Sequence, residues 1–288
     1  MKTEQAKRIH TDNITEYSAR MALTAEQRAL SVAELTDLFI DNRQSASPLD
    51  TYADFLQVFP QSTPTDRALF LSKLMSGRKS DISLWSKKGN NDSAISPGSH
   101  GKIATLKNQY SETAFSLLSK AVTRPKAVHV QTFTEACEAV TDNRCQFCIL
   151  PTETSNGGRL FGFYSLLDKY ELKIYAVCSV ESEESDESVR YALVGRSLPD
   201  RFQKGTERTL ECAITAEDGG FPIDIPQILG IFGAKILRID SLPSEYDELQ
   251  NKYYLSFRLS ERNAIIMDLY LSSEHQNYSQ IGLYPTIE

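Results

Sequence analysis

Residues 133–177 read FTEACEAVTDNRCQFCILPTETSNGGRLFGFYSLLDKYELKIYAV. Thr134 to Thr141 carries apolar residues at helical spacing, and Gln146 to Pro151 is apolar enough for a buried strand. A Gly157-Gly158 turn follows, then a helix over Leu160 to Tyr170 and a strand over Leu172 to Val180. Helix and strand alternate, which predicts a mostly parallel sheet covered by helices.

Upstream the rhythm continues, with a strand over Lys102 to Leu106, a helix over Ser111 to Ala121 and a strand over Ala127 to Gln131. Downstream, Glu181 to Ser188 holds five acids in eight residues, a solvated connection, before a strand over Arg190 to Gly195. Past a short connection at Asp200 to Gly205 comes a last unit. It reads strand (Thr209 to Thr215), helix (Asp224 to Phe232), strands (Lys235 to Ile239, Tyr253 to Leu259), helix (Asn263 to Leu271) and strand (Gln280 to Tyr284). That βαββαβ order is the ferredoxin-like arrangement.

The first third reads as helical. Ser31-Val-Ala-Glu34 has the pattern of a capping box ahead of Leu35, Leu38 and Phe39. Ser47-Pro48 opens a second helix, which Pro60 stops, and Thr63-Pro64 opens a third that ends near Gly77. Lys87 to Gly101, KKGNNDSAISPGSHG, is a linker by composition. The expected organisation is a helical region (1–86), linker (87–101), α/β lobe (102–198) and βαββαβ unit (207–288).

The 31 Lys and Arg against 38 Asp and Glu give a net charge of −7, which disfavours nucleic acid and anionic membrane as partners. No apolar run approaches the roughly 20 residues of a membrane-spanning helix, and MKTEQAKRIHTDN lacks the apolar core of a secretory signal, so a cytoplasmic address is expected. Cys145 and Cys148 form a C-x-x-C, but in a strand they would point to opposite faces, and no second pair stands at zinc-ligand distance. Structural thiols, no metal and no cofactor are expected.

Two stretches resemble the prephenate dehydratase family. In residues 133–177, Pro151, Glu153, Ser155, Gly158, Leu166, Leu167, Leu172 and Ile174 fall in register with its Pro-Ile-Glu-Asn-Ser/Thr strand end, Gly turn, Leu-Leu helix and following strand. Residues 209–285 are similar to its ACT regulatory domain. Asp240-Ser-Leu-Pro243 stands for Glu-Ser-Arg-Pro, Tyr253-Tyr254 for an aromatic pair, and Ile281-Gly-Leu-Tyr-Pro285 for Leu-Gly-x-Tyr-Pro. Ile103-Ala104 and Tyr110-Ser111-Glu112 echo its opening strand and Tyr/Phe-Ser motif. The resemblance implies a lobe of periplasmic-binding-protein-like type followed by an ACT domain, the α/β and α+β classes joined in one chain.

Departures from the family pattern fall on reactive positions. Val189-Arg190-Tyr191 stands where the family has Thr-Arg-Phe, and the acidic loop stands where it has a whole second lobe. Val189 donates nothing where the family Thr assists loss of the ring hydroxyl. Thr154 replaces Asn, and Leu106-Lys-Asn-Gln109 lacks the glycines of the family's opening loop. Losing one donor aimed at developing charge typically costs about 10²–10³ in rate.

The resemblance makes Glu153, Thr154, Ser155, Ser188 and Arg190 the degenerate catalytic candidates. It makes Gly219, Gly220, Phe221, Asp240, Ser241 and Leu242 the candidate ligand loop and strand end. The function expected is regulatory or ligand-sensing, on the phenylalanine branch of aromatic amino-acid biosynthesis, with an aromatic amino acid or prephenate as ligand and homodimerisation through the ACT domain. The alternative is an active dehydratase, turning prephenate into phenylpyruvate, whose cleft another chain completes. A chorismate mutase, the family's usual fusion partner at the N-terminus, is disfavoured: Arg20 and Arg28 are present, but no Lys follows Arg28 at helical spacing.

Overall fold

The computed structural model describes residues 25–42, 47–77, 101–181, 187–197, 207–216, 220–243 and 251–287. The linker at 87–100, the acidic residues 182–186, the connection at 200–205, Arg20 and Gly219 lie outside them.

Three helices open the described chain: α1 (Ala25–Asn42), α2 (Pro48–Val58) and α3 (Pro64–Gly77). Ser47 caps α2 by accepting the Asp50 amide at 3.2 Å, with Pro48 in the first turn where its missing N–H costs nothing. Ahead of α3, Thr63 and Asp66 cap reciprocally: the Asp66 carboxylate accepts the Thr63 amide, and the Thr63 hydroxyl accepts the Asp66 amide. The capping box expected at Ser31 is corrected. α1 runs through it, and the Ser31 hydroxyl donates to the Gln27 carbonyl one turn back, since the helix amide it would cap is already bonded.

The lobe contains β1 (Lys102–Leu106), α4 (Gln109–Leu118), β2 (Lys126–Val130), α5 (Phe133–Thr141), β3 (Phe147–Thr154), β4 (Gly158–Arg159), α6 (Phe161–Tyr170), β5 (Lys173–Glu181) and β6 (Ser188–Gly195). β1 pairs in parallel with β2 and β3, but β6 lies antiparallel between β3 and β5. The mostly parallel expectation therefore gives way to a mixed sheet. Only residues 182–187 join β5 to β6, too few for the crossover that parallel strands require.

The last unit contains β7 (Glu207–Ala216), α7 (Asp224–Phe232), β8 (Lys235–Pro243), β9 (Asn251–Ser260), α8 (Glu261–Glu274), β10 (Tyr278–Tyr284) and β11 (Thr286–Ile287). Its strands lie in the order β10-β7-β9-β8, all antiparallel to their neighbours.

The two strand sets do not stand apart. β10 pairs in parallel with β5 at Gly282 and Ile174, and β11 continues the contact at Val177 and Cys178, so eleven strands form one mixed sheet with β2 and β8 at its ends. Gly282 makes the seam possible. A Cβ there would lie 2.8 Å from the Ile174 Cβ and 3.0 Å from its carbonyl oxygen, so only glycine lets β10 approach β5 this closely.

Behind the last unit's sheet lie α7 and α8, and the N-terminal helices cover these as an outer layer within the same apolar core. Phe39, Tyr52, Phe55 and Phe70 form the aromatic centre of that layer, with Phe55 and Phe70 stacked at 4.0 Å. Arg67 and Tyr52 both bind the Glu274 carboxylate, and Arg262 donates to the Met75 carbonyl at 2.7 Å, tying helix layer to helix layer. The opposite face of the unit's sheet packs on α6, where Tyr164 stacks on Tyr254 at 4.0 Å.

Candidate functional site

β3 delivers Glu153 and Thr154 at its C-terminal end, and β6 brings Ser188 and Arg190 alongside in register. The chain then turns back through Gly158, at φ +69°, into β4. Local bonds absorb most of the catalytic candidates. The Thr154 hydroxyl accepts the Gly157 amide at 2.9 Å, closing the turn. The Ser155 hydroxyl accepts the Ser188 amide at 2.9 Å, and the Ser155 amide donates to the Ser188 carbonyl at 2.8 Å. These bonds stitch the ends of β3 and β6 together. Val189 turns to the other face of the sheet and packs against the Ile103, Ala114 and Leu193 core.

Glu153 points across the sheet toward the last unit. Its carboxylate bridges Arg190 at 3.2 Å and Arg238, on β8, at 3.2 Å. From there the charges alternate. Arg238 meets Asp240 at 2.9 Å, Asp240 meets Arg159 at 3.4 Å, and Arg159 meets Glu211 at 2.9 Å and the Ser256 hydroxyl at 3.0 Å. Glu211, inside the sheet at 2% exposure, also accepts hydrogen bonds from the Tyr164 and Tyr284 hydroxyls. Arg190, Glu153 and Arg159 belong to the lobe, and Arg238, Asp240 and Glu211 to the last unit, so the chain crosses the junction repeatedly.

Burial pushes the Tyr284 phenol well above its ordinary range, and the neighbouring Glu211 carboxylate adds to the shift. Tyr284 is therefore a neutral donor. Burial opposes the charge on Arg190, but Tyr284, Glu153 and Glu211 outweigh it and hold the guanidinium charged. Thr152, Phe163, Ile174 and Val177 complete the surroundings of a cavity of about 10 Å³, room for about one water.

The ligand candidates separate. Phe221 meets Tyr253 edge-on at 5.4 Å, and Ser241 is the cross-strand neighbour of Tyr253, while Gly220 is exposed nearby in sequence. Asp240 and Leu242 instead serve the junction, Asp240 in the ion chain and Leu242 packed on the lobe's core. Alternation along β8 explains the split, since neighbouring residues point to opposite faces. Sequence reasoning missed Arg159, Tyr164, Glu211 and Arg238. Glu211 carries a legible signal, a lone acid in the apolar run Leu210 to Ile214, but its partners are distant in sequence.

All five cysteines are free and buried, and burial raises the Cys178 thiol to about 11 and the Cys148 and Cys212 thiols well above their ordinary value. Among the described residues, no three metal-ligating side chains are placed to hold an ion, and no helix is long and apolar enough to cross a membrane.

No protein-family model matches this chain, and no curated protein matches it. Solved structures do. A prephenate dehydratase from Streptococcus mutans aligns at 20% identity with a TM-score of 0.52, over 65% of this chain and 99% of that one. A protein described as a novel type of quorum quenching acylase, GqqA, aligns at 18% identity with a TM-score of 0.50, over 65% of this chain and 96% of that one. At these identities the likeness is one of fold, and the two descriptions name different activities.

Proposed function

We propose that this chain is a non-catalytic, ligand-responsive protein built on the prephenate dehydratase fold, acting in the cytoplasm on the phenylalanine branch of aromatic amino-acid biosynthesis. The observation that carries this reading is the engagement of the candidate set. Glu153 is neutralised between two arginines, Thr154 and Ser155 are occupied by backbone amides, and Val189 faces a core. Expelling water from a cyclohexadienol needs a proton donor and an enclosed substrate, whereas the cavity beside these residues has room for about one water. An aromatic amino acid is the ligand we assign, on the resemblance of the last unit to ACT domains.

Purified full-length protein, supplied with prephenate, will form phenylpyruvate no faster than the uncatalysed reaction. Turnover in the ordinary enzyme range of about 1–10³ s⁻¹ would sink the reading.

A further inference from the structure

On a chain of net charge −7, one rim of the lobe gathers cations. It lies where the parallel strands β1, β2 and β3 begin and antiparallel β6 ends, at the far end of β3 from Glu153. Lys102 and Lys126 open β1 and β2 and are direct neighbours in register, with Arg124 just before β2. Arg144 lies just ahead of β3, and Arg196 follows Gly195, the β6 partner of Phe147 at the start of β3. All of these residues are exposed. Burial raises the Cys145 thiol, and Lys102 and Arg144 both oppose the shift, which sets those two cations in one neighbourhood. The nearby acid in these connections is Asp142, and it meets Arg144 at 3.5 Å. Lys102, Arg124, Lys126 and Arg196 make no ion pair with another described residue. Like charges side by side on neighbouring strands cost stability, and no described acid offsets that cost at Lys102 and Lys126. Since β2, β1, β3 and β6 are successive neighbours about 4.8 Å apart, the cations form a fixed row roughly 14 Å long.

We propose that this rim docks a short, extended acidic segment of a partner protein, whose carboxylates meet Lys126, Lys102 and Arg196 along the row. Charge complementarity selects an acidic partner, and the surroundings select a peptide. The large apolar side chains exposed among the described residues are Leu30, Val58, Leu160, Ile223 and Ile239, none of them in these strand ends or connections. The rim therefore offers no platform on which a base could stack and no wedge to enter a lipid surface. Beyond the row, the net negative charge of the chain repels a long polyanion, so a segment that ends with the row fits best. Exposed ion pairs are weak singly, which makes the docking reversible and salt-sensitive. The proposal goes beyond the ligand-responsive reading and uses none of its residues.

Fluorescence anisotropy of the full chain with a labelled peptide of about five glutamates, long enough to span the row, tests this. Saturable binding is expected in about 50 mM salt and should weaken at least about fivefold in about 300 mM. Lys102→Glu combined with Lys126→Glu should bind at least about tenfold more weakly. Lys235→Glu combined with Arg258→Glu makes the same change in net charge on β8 and β9, at the other end of the sheet, and should bind as the wild type does. Should the reversed pair at Lys102 and Lys126 fail to fold, Lys102→Gln with Lys126→Gln carries the test, with a loss of about threefold. No binding in the lower salt, or an equal loss from both reversed pairs, overturns the proposal. Tighter binding of an oligothymidylate or of phosphatidylserine vesicles than of the peptide also overturns it. Prephenate turnover strikes at the non-catalytic reading alone and leaves the rim untouched.

Discussion

Glu211 is a lone carboxylate inside an apolar strand, stable there because Arg159, Tyr164 and Tyr284 all donate to it. The device recurs. Tyr254 donates to Asp168, Tyr52 to Glu274, Tyr270 to Asp224 and Tyr278 to Asp268, so tyrosine–carboxylate pairs join strand to helix and layer to layer. Asp268 is the expensive member. Burial raises its carboxyl to about 6, with the Tyr278 hydrogen bond and Lys173 only partly opposing the shift. Its folded value lies above its unfolded one, so its contribution is fully present below about pH 4 and is lost as pH rises through 6. Asp268→Asn removes the charge and should stabilise the protein at pH 8 by about 1–3 kcal/mol, with the advantage shrinking toward pH 5. Urea unfolding at the two pH values checks this; an equal gap at both would refute the assignment.

At the scale of elements, the seam between β5 and β10 is the joint that matters. Few residues pair across it, and Lys173 reinforces it by donating to the Gln280 carbonyl at 2.5 Å. Gly282→Ala presses a methyl group against Ile174 and should cost about 1–3 kcal/mol. Gly162→Ala on α6, with open space around it, should be neutral or slightly stabilising. Denaturant midpoints compare the two directly, and equal effects would mean the seam relaxes at no cost. Most elements were readable from sequence because apolar spacing and Pro or Ser punctuation act locally. α7, bounded by Asp224 and Phe232, needed nothing else. Ser31 misled because a capping pattern inside a helix is chemically the same as one at its start. β6 misled because strand text carries no direction; the short connection after Glu181 supplies it.

For the whole molecule, the continuous sheet and the outer helix layer make lobe, last unit and N-terminal helices one packed arrangement. Ile223, at the start of α7, is 79% exposed. We propose that the chain forms a homodimer whose contact includes Ile223. Light scattering should give twice 32.3 kDa for the full chain, and a single-chain mass for Ile223→Asp. A single-chain mass for the wild type removes the dimer.

By itself the sequence determined the alternation of elements and the βαββαβ order, because these depend on residue type and near-neighbour spacing. Tertiary structure alone decided that Glu153 faces Arg238 across 85 residues, that Asp240 and Ser241 point to opposite sides, and that two half-sheets share one edge. Such pairings are chosen by which buried charges and strand edges can satisfy one another when the chain closes on itself, and no local pattern encodes a partner that far away.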